Sequence, residues 1–222
     1  SWVFSGLTPN TKYEFRVSHN CTGIDYATTV TATTPCVPTS VPLYEHFNTW
    51  STSSTDPSPS CWHKNSTYNA TYPYVSTGYS SDGDGRSLYF YTSSSAYTAL
   101  VLPVFDVPLD SLTLSFALLS STTSYSHTLQ VGVITDPEDI TTFQAIGTAA
   151  PPATTYVWNR HEFSFHGLGF TEGQIAIRTA PGSYAYPYLD EIEVDYYRSC
   201  ARPSNVRATN VTQNTATIAW TD

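Results

Sequence analysis

Apolar and polar side chains alternate along much of this chain, and this alternation is the main signal of its secondary structure. It runs through residues 13–17, 87–91, 112–117, 129–134, 157–165, 174–179 and 189–197. Alternation with a period of two over about 5–8 residues predicts β-strands with one buried face. No segment carries apolar residues at helical spacing, and the acidic stretch 136–139 predicts at most one short helical turn near residues 136–141. The pattern therefore predicts an all-β protein.

Turns and proline-containing stretches separate the predicted strands and divide the chain. Turns are predicted at Asp82-Gly-Asp-Gly85, Asp136-Pro137, Pro151-Pro152 and Pro181-Gly182. Residues 37–42 and 198–203 contain prolines and predict joints between modules. The predicted modules are an N-terminal segment of residues 1–36, a central domain of residues 43–198 and a C-terminal segment of residues 201–222.

The charge of the chain excludes some classes of partner. Its 222 residues carry a formal net charge of -9, which argues against nucleic acid, because phosphate binding needs clustered lysine and arginine. Anionic membrane surfaces are disfavoured for the same reason, and no apolar run approaches the roughly 20 residues that insert into a membrane. Only 12% of residues are charged, so the surface is built from Ser, Thr, Asn and 17 tyrosines. Such a surface suits neutral sugars or divalent cations.

The two flanking segments resemble fibronectin type III domains. The N-terminal one contains Leu7-Thr-Pro-Asn-Thr-Lys-Tyr13, the Leu-x-Pro-x-Thr-x-Tyr pattern in which the tyrosine hydroxyl bonds back to the preceding corner. The C-terminal one contains Asn205-Val-Arg-Ala208 and Ala216-Thr-Ile-Ala-Trp220, similar to that family's first two strands and core tryptophan. The resemblance implies the end of one sandwich and the beginning of another, both without middle strands.

The central domain resembles the MAM-like jelly rolls of bacterial surface adhesins, including cleaved adhesin domains found beside cysteine proteases. Three stretches carry the resemblance: Tyr44-Glu-His-Phe47, Trp158-Asn-Arg-His-Glu-Phe-Ser-Phe165, and Gln174-Ile-Ala-Ile-Arg178 followed by Tyr188-Leu-Asp-Glu-Ile-Glu-Val194. The chain also looks like repeats of Bacteroidetes-type surface proteins. The resemblance implies an antiparallel jelly-roll β-sandwich with partial fibronectin-type-III-like segments at both ends.

The same resemblance implies a calcium site where the first and last strands of the jelly roll meet. Pairing of these strands would bring Glu45 near Asp190 and Glu191, and related domains hold Ca²⁺ with such carboxylates and backbone carbonyls. Ca²⁺ takes about 6–8 oxygen ligands. A regular strand puts Leu189 and Glu191 on one face, so a buried Leu189 forces Glu191 inward unless the strand bulges. The alternative is a pair of solvated carboxylates at a strand edge.

For the Asp82-Gly-Asp-Gly85 segment, we favour a tight hairpin turn without metal over a calcium-binding loop. An EF-hand loop beginning at Asp82 would need an oxygen ligand at Arg86 and a closing glutamate at Ser93, so that pattern fails.

Four cysteines in a Thr/Ser-rich β protein favour disulfides and an oxidising compartment. Cys21 and Cys36 bracket a short strand–loop–strand segment and are the first predicted pair. Cys61 with Cys200 follows by elimination. The alternative is that one or two of them are buried free thiols.

The loop before the last strand is rich in tyrosine. Tyr184, Tyr186 and Tyr188, together with Trp50, form a candidate ligand-binding platform, to which Trp62 and residues 72–74 could add. Sugar rings stack their C–H faces on aromatic rings, and exposed loop aromatics are candidate binding residues. The alternative is that these tyrosines only cover loops.

No nucleophile elbow, phosphate-binding loop or zinc-hydrolase spacing occurs in the sequence. We therefore expect a non-catalytic adhesion or binding module of a secreted or cell-surface multidomain protein, with a glycan or a host extracellular protein as partner. Other domains of the same polypeptide are expected neighbours. The alternative function is a structural spacer that holds other domains away from the surface.

Overall fold

The computed structural model describes residues 1–21, 24–54, 59–93, 95–125, 127–182, 184–200 and 204–221. Their strands are β1 (Lys12–Cys21), β2 (Ile24–Thr33), β3 (Leu43–Glu45), β4 (His63–Ser66), β5 (Tyr74–Ser76), β6 (Ser87–Tyr89), β7 (Thr98–Val101), β8 (Leu112–Ser120), β9 (Leu129–Ile134), β10 (Gln144–Ala149), β11 (Asn159–Ser164), β12 (Gln174–Thr179), β13 (Pro187–Tyr196), β14 (Ser204–Thr209) and β15 (Thr217–Thr221). Two short 3₁₀ turns lie at Leu109–Ser111 and Ile140–Thr142.

The central domain is a sandwich of two antiparallel sheets, as the alternating pattern predicts. One sheet has the strand order β10-β9-β12-β7-β4, and the other has the order β11-β8-β13-β6-β5 with β3 also paired to β13. Alternate residues of β8, among them Leu114, Phe116 and Leu118, have no exposed surface and pack into the core between the sheets. The all-β antiparallel prediction is confirmed.

In the central domain, the sequence did not predict β4, β5, β7 and β10. β4 has the polar sequence His-Lys-Asn-Ser, whereas β7 is buried on both faces, so neither shows the alternation of a half-buried strand. The predicted helical turn is present at Ile140–Thr142, where the Asp139 carboxylate accepts a hydrogen bond from Thr141 N. The second turn, Leu109–Ser111, was not predicted.

The flanking segments form two hairpins, β1–β2 and β14–β15, and in the described ranges neither pairs with a strand of the sandwich. The Tyr13 hydroxyl accepts a hydrogen bond from Thr8 N at 2.8 Å, the back-bonding contact expected for its sequence pattern. Two strands each do not define a fibronectin type III sandwich, so that assignment stays a prediction.

The predicted cysteine pairing is wrong. Cys36 bonds to Cys61, with their Cα atoms 5.9 Å apart, and Cys200 is a free, exposed thiol. Cys21 pairs with Ile24 at the tip of the β1–β2 hairpin, whereas Cys36 lies beyond the opposite end, where Lys12 pairs with Thr33. At about 3.3 Å per residue, the nine steps between these pairs hold Cys21 roughly 30 Å from that end. The long hairpin therefore prevents the Cys21–Cys36 bond.

None of the helical segments in the described ranges has the length and apolar character needed to cross a membrane.

Candidate functional site

The first and last strands of the sandwich meet, as expected from the resemblance. β3 pairs with β13 so that Glu45 lies opposite Ile192 and Tyr44 opposite Glu193. The pairing of β13 with β8 shifts register between Asp190 and Glu193, and Glu191 has a φ of 49°. This is a β-bulge, which re-aims side chains within a strand. The bulge lets Leu189 and Asp190 both be buried while Glu191 stays partly exposed.

The bulge places Glu191 in a group of possible metal ligands. One ligand atom each of His46, Asp82 and Glu191 lie within 4.8 Å of one another, and His46 Nδ1 is 3.1 Å from Asp82 Oδ2. Of the three predicted metal residues, only Glu191 belongs to this group. Glu45 turns its carboxylate to the backbone N–H of Phe47 instead. His46 was not predicted from the sequence, and Asp82 was predicted to lie in a turn without metal.

Asp190 lies beside this group as a buried carboxylate. Its oxygens accept hydrogen bonds from Ser81 N at 2.7 Å and from Glu191 N at 2.8 Å. Burial, together with the nearby carboxylates of Asp82 and Asp84, raises the pKa of Asp190 to about 6, although these hydrogen bonds oppose the shift. A carboxylate with a raised pKa is one whose negative charge lacks compensation.

The turn that carries Asp82 is held by its own side chains. Ser80 Oγ accepts hydrogen bonds from Gly83 N at 3.0 Å and Gly85 N at 2.9 Å, and Asp82 Oδ1 accepts one from Asp84 N at 3.1 Å. Gly83 and Gly85 have φ values of 88° and 86°, which glycine adopts without steric cost. The chain does reverse direction here, but the predicted tight hairpin is wrong, because residues 77–86 form a longer connection between β5 and β6. This connection brings Asp82 against the bulge in β13.

These residues fit a hard divalent cation. Asp82 and Glu191, with Asp190 beside them, offer carboxylate oxygens, the donors that such cations prefer. In the described part of the chain, Arg160 forms ion pairs with Glu191 at 3.3 Å and Glu193 at 2.8 Å, but Asp190 has no ion pair with a basic side chain. The buried charge of Asp190 is therefore the feature that a cation would compensate.

A second feature is a row of tyrosines across three strands of the six-stranded sheet. Tyr89 pairs with Tyr74 on one side and with Tyr188 on the other. The ring centroids are 5.6 Å and 4.7 Å from that of Tyr89. Their strand neighbours Leu88 and Leu189 face the core, so the three rings project from the outer face of the sheet.

More tyrosines extend this row into one continuous aromatic area, called here the tyrosine surface. Its members are Tyr68, Tyr72, Tyr74, Tyr79, Tyr89, Tyr91, Tyr125, Tyr156, Tyr184, Tyr186 and Tyr188. Each ring has a neighbouring tyrosine centroid within 6.5 Å. The best exposed are Tyr68 at 43%, Tyr125 at 48%, Tyr156 at 58% and Tyr184 at 40%. Burial, with nearby phenols, raises the pKa of Tyr89 and of Tyr188, so these two central rings are uncharged at neutral pH.

The structure brings together the three predicted tyrosines Tyr184, Tyr186 and Tyr188 but excludes Trp50. Trp50 is 6% exposed and packs edge-on against Phe47 and Trp62, with centroids 5.2 Å and 5.3 Å away. The interpretation of Trp50 as an exposed platform residue is wrong, because its ring fills the core beneath a loop. Trp62 is buried in the same cluster.

Most members of the tyrosine surface were not predicted from the sequence. A signal was present at Tyr89 and Tyr91, which alternate with the apolar Leu88 and Phe90. That alternation puts the two tyrosines on the face opposite the core. Distant loop members such as Tyr125 and Tyr156 carry no comparable signal.

Comparison with known proteins supports the fold. No family model and no curated protein matches the sequence. The K1 cleaved adhesin domain of Lys-gingipain (Kgp) from Porphyromonas gingivalis W83 aligns with a TM-score of 0.51 and 16% identity, over 70% of this chain and 98% of that chain. The K2 cleaved adhesin domain of Lys-gingipain aligns with a TM-score of 0.50 and 11% identity, over 72% and 99%. A CBM22-1 xylan-binding domain from Paenibacillus barcinonensis Xyn10C aligns with a TM-score of 0.46 and 12% identity, over 71% of this chain and 95% of that chain.

At these identities the two cleaved adhesin domains show a shared fold and no more. They confirm, for the fold, the similarity to cleaved adhesin domains expected from the sequence.

Proposed function

We propose that the central domain is a non-catalytic binding module whose tyrosine surface binds neutral saccharide chains outside the cell. The observation that carries the proposal is the continuous area of tyrosine rings on the outer face of a rigid sheet. Aromatic rings offer apolar area together with a hydroxyl that can hydrogen-bond, a combination that suits the C–H faces and hydroxyls of sugars. Several adjacent rings suit an extended chain better than a single small molecule.

The charge of the module supports a neutral ligand. The phenols of Tyr89 and Tyr188 have raised pKa values and stay protonated, so they neither repel nor attract ions. The chain as a whole carries a net charge of -9, which disfavours anionic ligands.

Calcium at the joined ends of the sandwich is part of the proposal. The ion would be held by carboxylates of Asp82 and Glu191, with Glu45 and Asp190 beside them. When bound, it supplies positive charge that compensates these carboxylates. The residues connect β3, the turn at residues 80–86 and β13, so their role is to stabilise the fold rather than to contact the saccharide.

An extracellular location is supported by the Cys36–Cys61 disulfide, since such bonds persist in oxidising compartments. A secreted or cell-surface protein is therefore proposed, with host glycans or glycosylated host proteins as partners.

One observation favours a spacer as the second candidate function. The segment that enters the central domain is clamped to it by the disulfide and by hydrogen bonds of Thr39 N to Val104 O at 2.7 Å and Asp106 N to Thr39 O at 3.0 Å. A clamped joint keeps a fixed geometry between modules. If the protein is only a spacer, it should bind no glycan. Reduction of the Cys36–Cys61 bond should then make residues 37–42 accessible to protease.

The test is a glycan array followed by affinity measurements on single variants. Tyr68→Ala and Tyr184→Ala remove exposed rings of the tyrosine surface, and each should weaken binding several-fold without lowering the melting temperature. Tyr44→Ala and Tyr196→Ala are matched controls, because these tyrosines are exposed outside that surface. An array on which no glycan is retained, or equal losses in the control variants, would contradict the proposal.

A further inference from the structure

A pocket lies at one end of the tyrosine surface. It has a volume of about 300 Å³, at the lower end of the range for small-molecule sites. Its described lining is Ser120, Thr122, Thr123, Tyr125, His127, Thr128, Ala150, Pro151, Pro152 and Ala153. Tyr125 belongs to both the pocket and the tyrosine surface, and its ring lies 5.4 Å from those of Tyr184 and Tyr186. A saccharide on the tyrosine surface therefore reaches the pocket without a break.

The pocket contains a buried histidine in a defined protonation state. His127 is 4% exposed, and its Nδ1 accepts a hydrogen bond from Tyr186 N at 2.8 Å. Because Nδ1 is an acceptor, the ring proton is on Nε2. Burial lowers the pKa of His127, although the Thr122 backbone opposes this, so the ring is neutral near pH 7. Nε2–H is thus a fixed, uncharged donor.

Among the described residues, no acceptor meets the distance and angle of a hydrogen bond with this donor. The carbonyl of Thr122 acts on the His127 ring and also accepts a hydrogen bond from Ser120 Oγ at 2.6 Å. A buried donor without an acceptor costs free energy, and a ligand oxygen placed there recovers it. The His127 ring lines the pocket, but Nε2 itself has almost no accessible surface, so a ligand oxygen must displace neighbouring atoms to reach it.

The rest of the lining restricts the chemistry of the ligand. No described lining residue is a carboxylate, lysine or arginine, so the pocket offers no counter-charge for an ionic group. Ala150, Pro151 and Pro152 form an apolar wall beside the hydroxyls of Thr122 and Thr128. The pocket therefore suits a neutral group that combines an acceptor oxygen with a small apolar part. An acetamido group has both, whereas a sugar hydroxyl leaves the apolar wall unfilled.

We propose that this pocket binds the acetamido group of an N-acetylhexosamine unit, whose carbonyl accepts from His127 Nε2–H while its methyl packs against Pro151 and Pro152. This inference rests on the proposed saccharide-binding function and adds the class of sugar. The tyrosine surface supplies stacking to any neutral chain, and the pocket selects chains that carry N-acetyl groups.

The experiment compares two trisaccharides of the same linkage, one of N-acetylglucosamine and one of glucose, by isothermal titration calorimetry. The native protein should bind the N-acetylated one at least about tenfold more tightly, which corresponds to about 1.4 kcal/mol. His127→Phe removes the donor and should bind both trisaccharides with the same affinity. Ala153→Trp fills the pocket from its exposed rim and should have the same effect, even if His127→Phe fails to fold. Ala145→Trp, on exposed β10 outside the pocket, is the matched control and should keep the preference.

The outcomes separate this inference from the proposed function. Equal native affinities for both trisaccharides, or a preference that survives in Ala153→Trp, would overturn the inference and leave saccharide binding in place. Absence of binding to either one would overturn both. Equal competition by a peptide containing acetyl-lysine would reassign the pocket to acetylated protein. Long-range ¹H–¹⁵N NMR should show the His127 Nε2–H signal shifting only with the N-acetylated sugar.

Discussion

Asp190 has no solvent-exposed surface, yet burial raises its pKa from 3.8 only to about 6, so it is ionised at neutral pH. Its two backbone hydrogen bonds, from Ser81 and Glu191, fix its position at the bulge. A buried negative charge in this position costs folding free energy, which a bound cation would offset.

The first prediction is a pH dependence of stability set by Asp190. Because its folded pKa lies above its unfolded value, the folded state holds the proton more tightly, and the free energy of unfolding in chelator should fall as pH rises from about 4 to about 6. The fall should be on the order of 2–3 kcal/mol. In Asp190→Asn, the free energy of unfolding measured by urea titration should change much less over this pH range. A slope unchanged in that variant would contradict the assignment.

The second prediction concerns Gly132, at the place where β10 bulges against β9. A Cβ at this position would lie 2.1 Å from the Gln144 carbonyl oxygen and 2.6 Å from the Phe143 ring. Gly132→Ala should therefore lower the free energy of unfolding by roughly 2 kcal/mol or more, because a strand backbone cannot move away.

The matched control for this prediction is Gly78→Ala, where the nearest atom is 3.7 Å away in ordinary contact. Denaturant unfolding of the two variants measures the difference. Equal free energies of unfolding would contradict the prediction and show that β9 and β10 can move apart enough to accept the added methyl group.

At the scale of elements, β13 organises the candidate cation site. One edge of β13 pairs with β8, while the other edge pairs first with β6 and then with β3. His46 follows β3, Asp82 precedes β6, and Glu191 lies in β13 itself. A cation held there joins three elements that are distant in sequence.

The third prediction is that calcium raises the melting temperature by roughly 5–10 °C at about 100 times its dissociation constant. Asp82→Asn should reduce this rise while preserving the turn, because the amide oxygen can still accept from Asp84 N. Glu172→Gln, at an exposed carboxylate elsewhere, should keep the full rise. Identical melts of the native protein in calcium and in chelator would remove calcium from the proposal.

Elements whose sequence alternates were predictable, whereas β4, which is wholly polar, and β7, which is wholly buried, were not. β9 and β12 match their predicted bounds, although both strands bury residues on both faces. β11 lies within the predicted range 157–165, and its residues alternate between partly buried and exposed. The site is less predictable. The β3–β13 pairing was expected, but the approach of Asp82 to Glu191 depends on a turn and a bulge more than a hundred residues apart, which no local pattern encodes.

At the scale of the whole molecule, the Cys36–Cys61 bond connects the N-terminal segment to the sandwich. The fourth prediction is that Cys36→Ser with Cys61→Ser lowers the free energy of unfolding by about 2–4 kcal/mol, since the bond closes a loop of 25 residues. Cys200→Ser, at the free exposed thiol, should leave it unchanged. Equilibrium unfolding measured by fluorescence tests both, and a large loss in Cys200→Ser would indicate a different pairing in solution.

The same bond has a mechanical consequence for a protein anchored at a surface. Tension that arrives through residues before Cys36 passes across the disulfide to Cys61 and bypasses β3 with Glu45 and His46. Such tension would therefore not load the hydrogen bonds between β3 and β13 directly. In single-molecule stretching, reduction should add the 25-residue bypassed segment to the unfolded length, about 85 Å at the reach of an extended chain. After reduction, β3 should be the first strand of the sandwich to separate from its neighbour, β13.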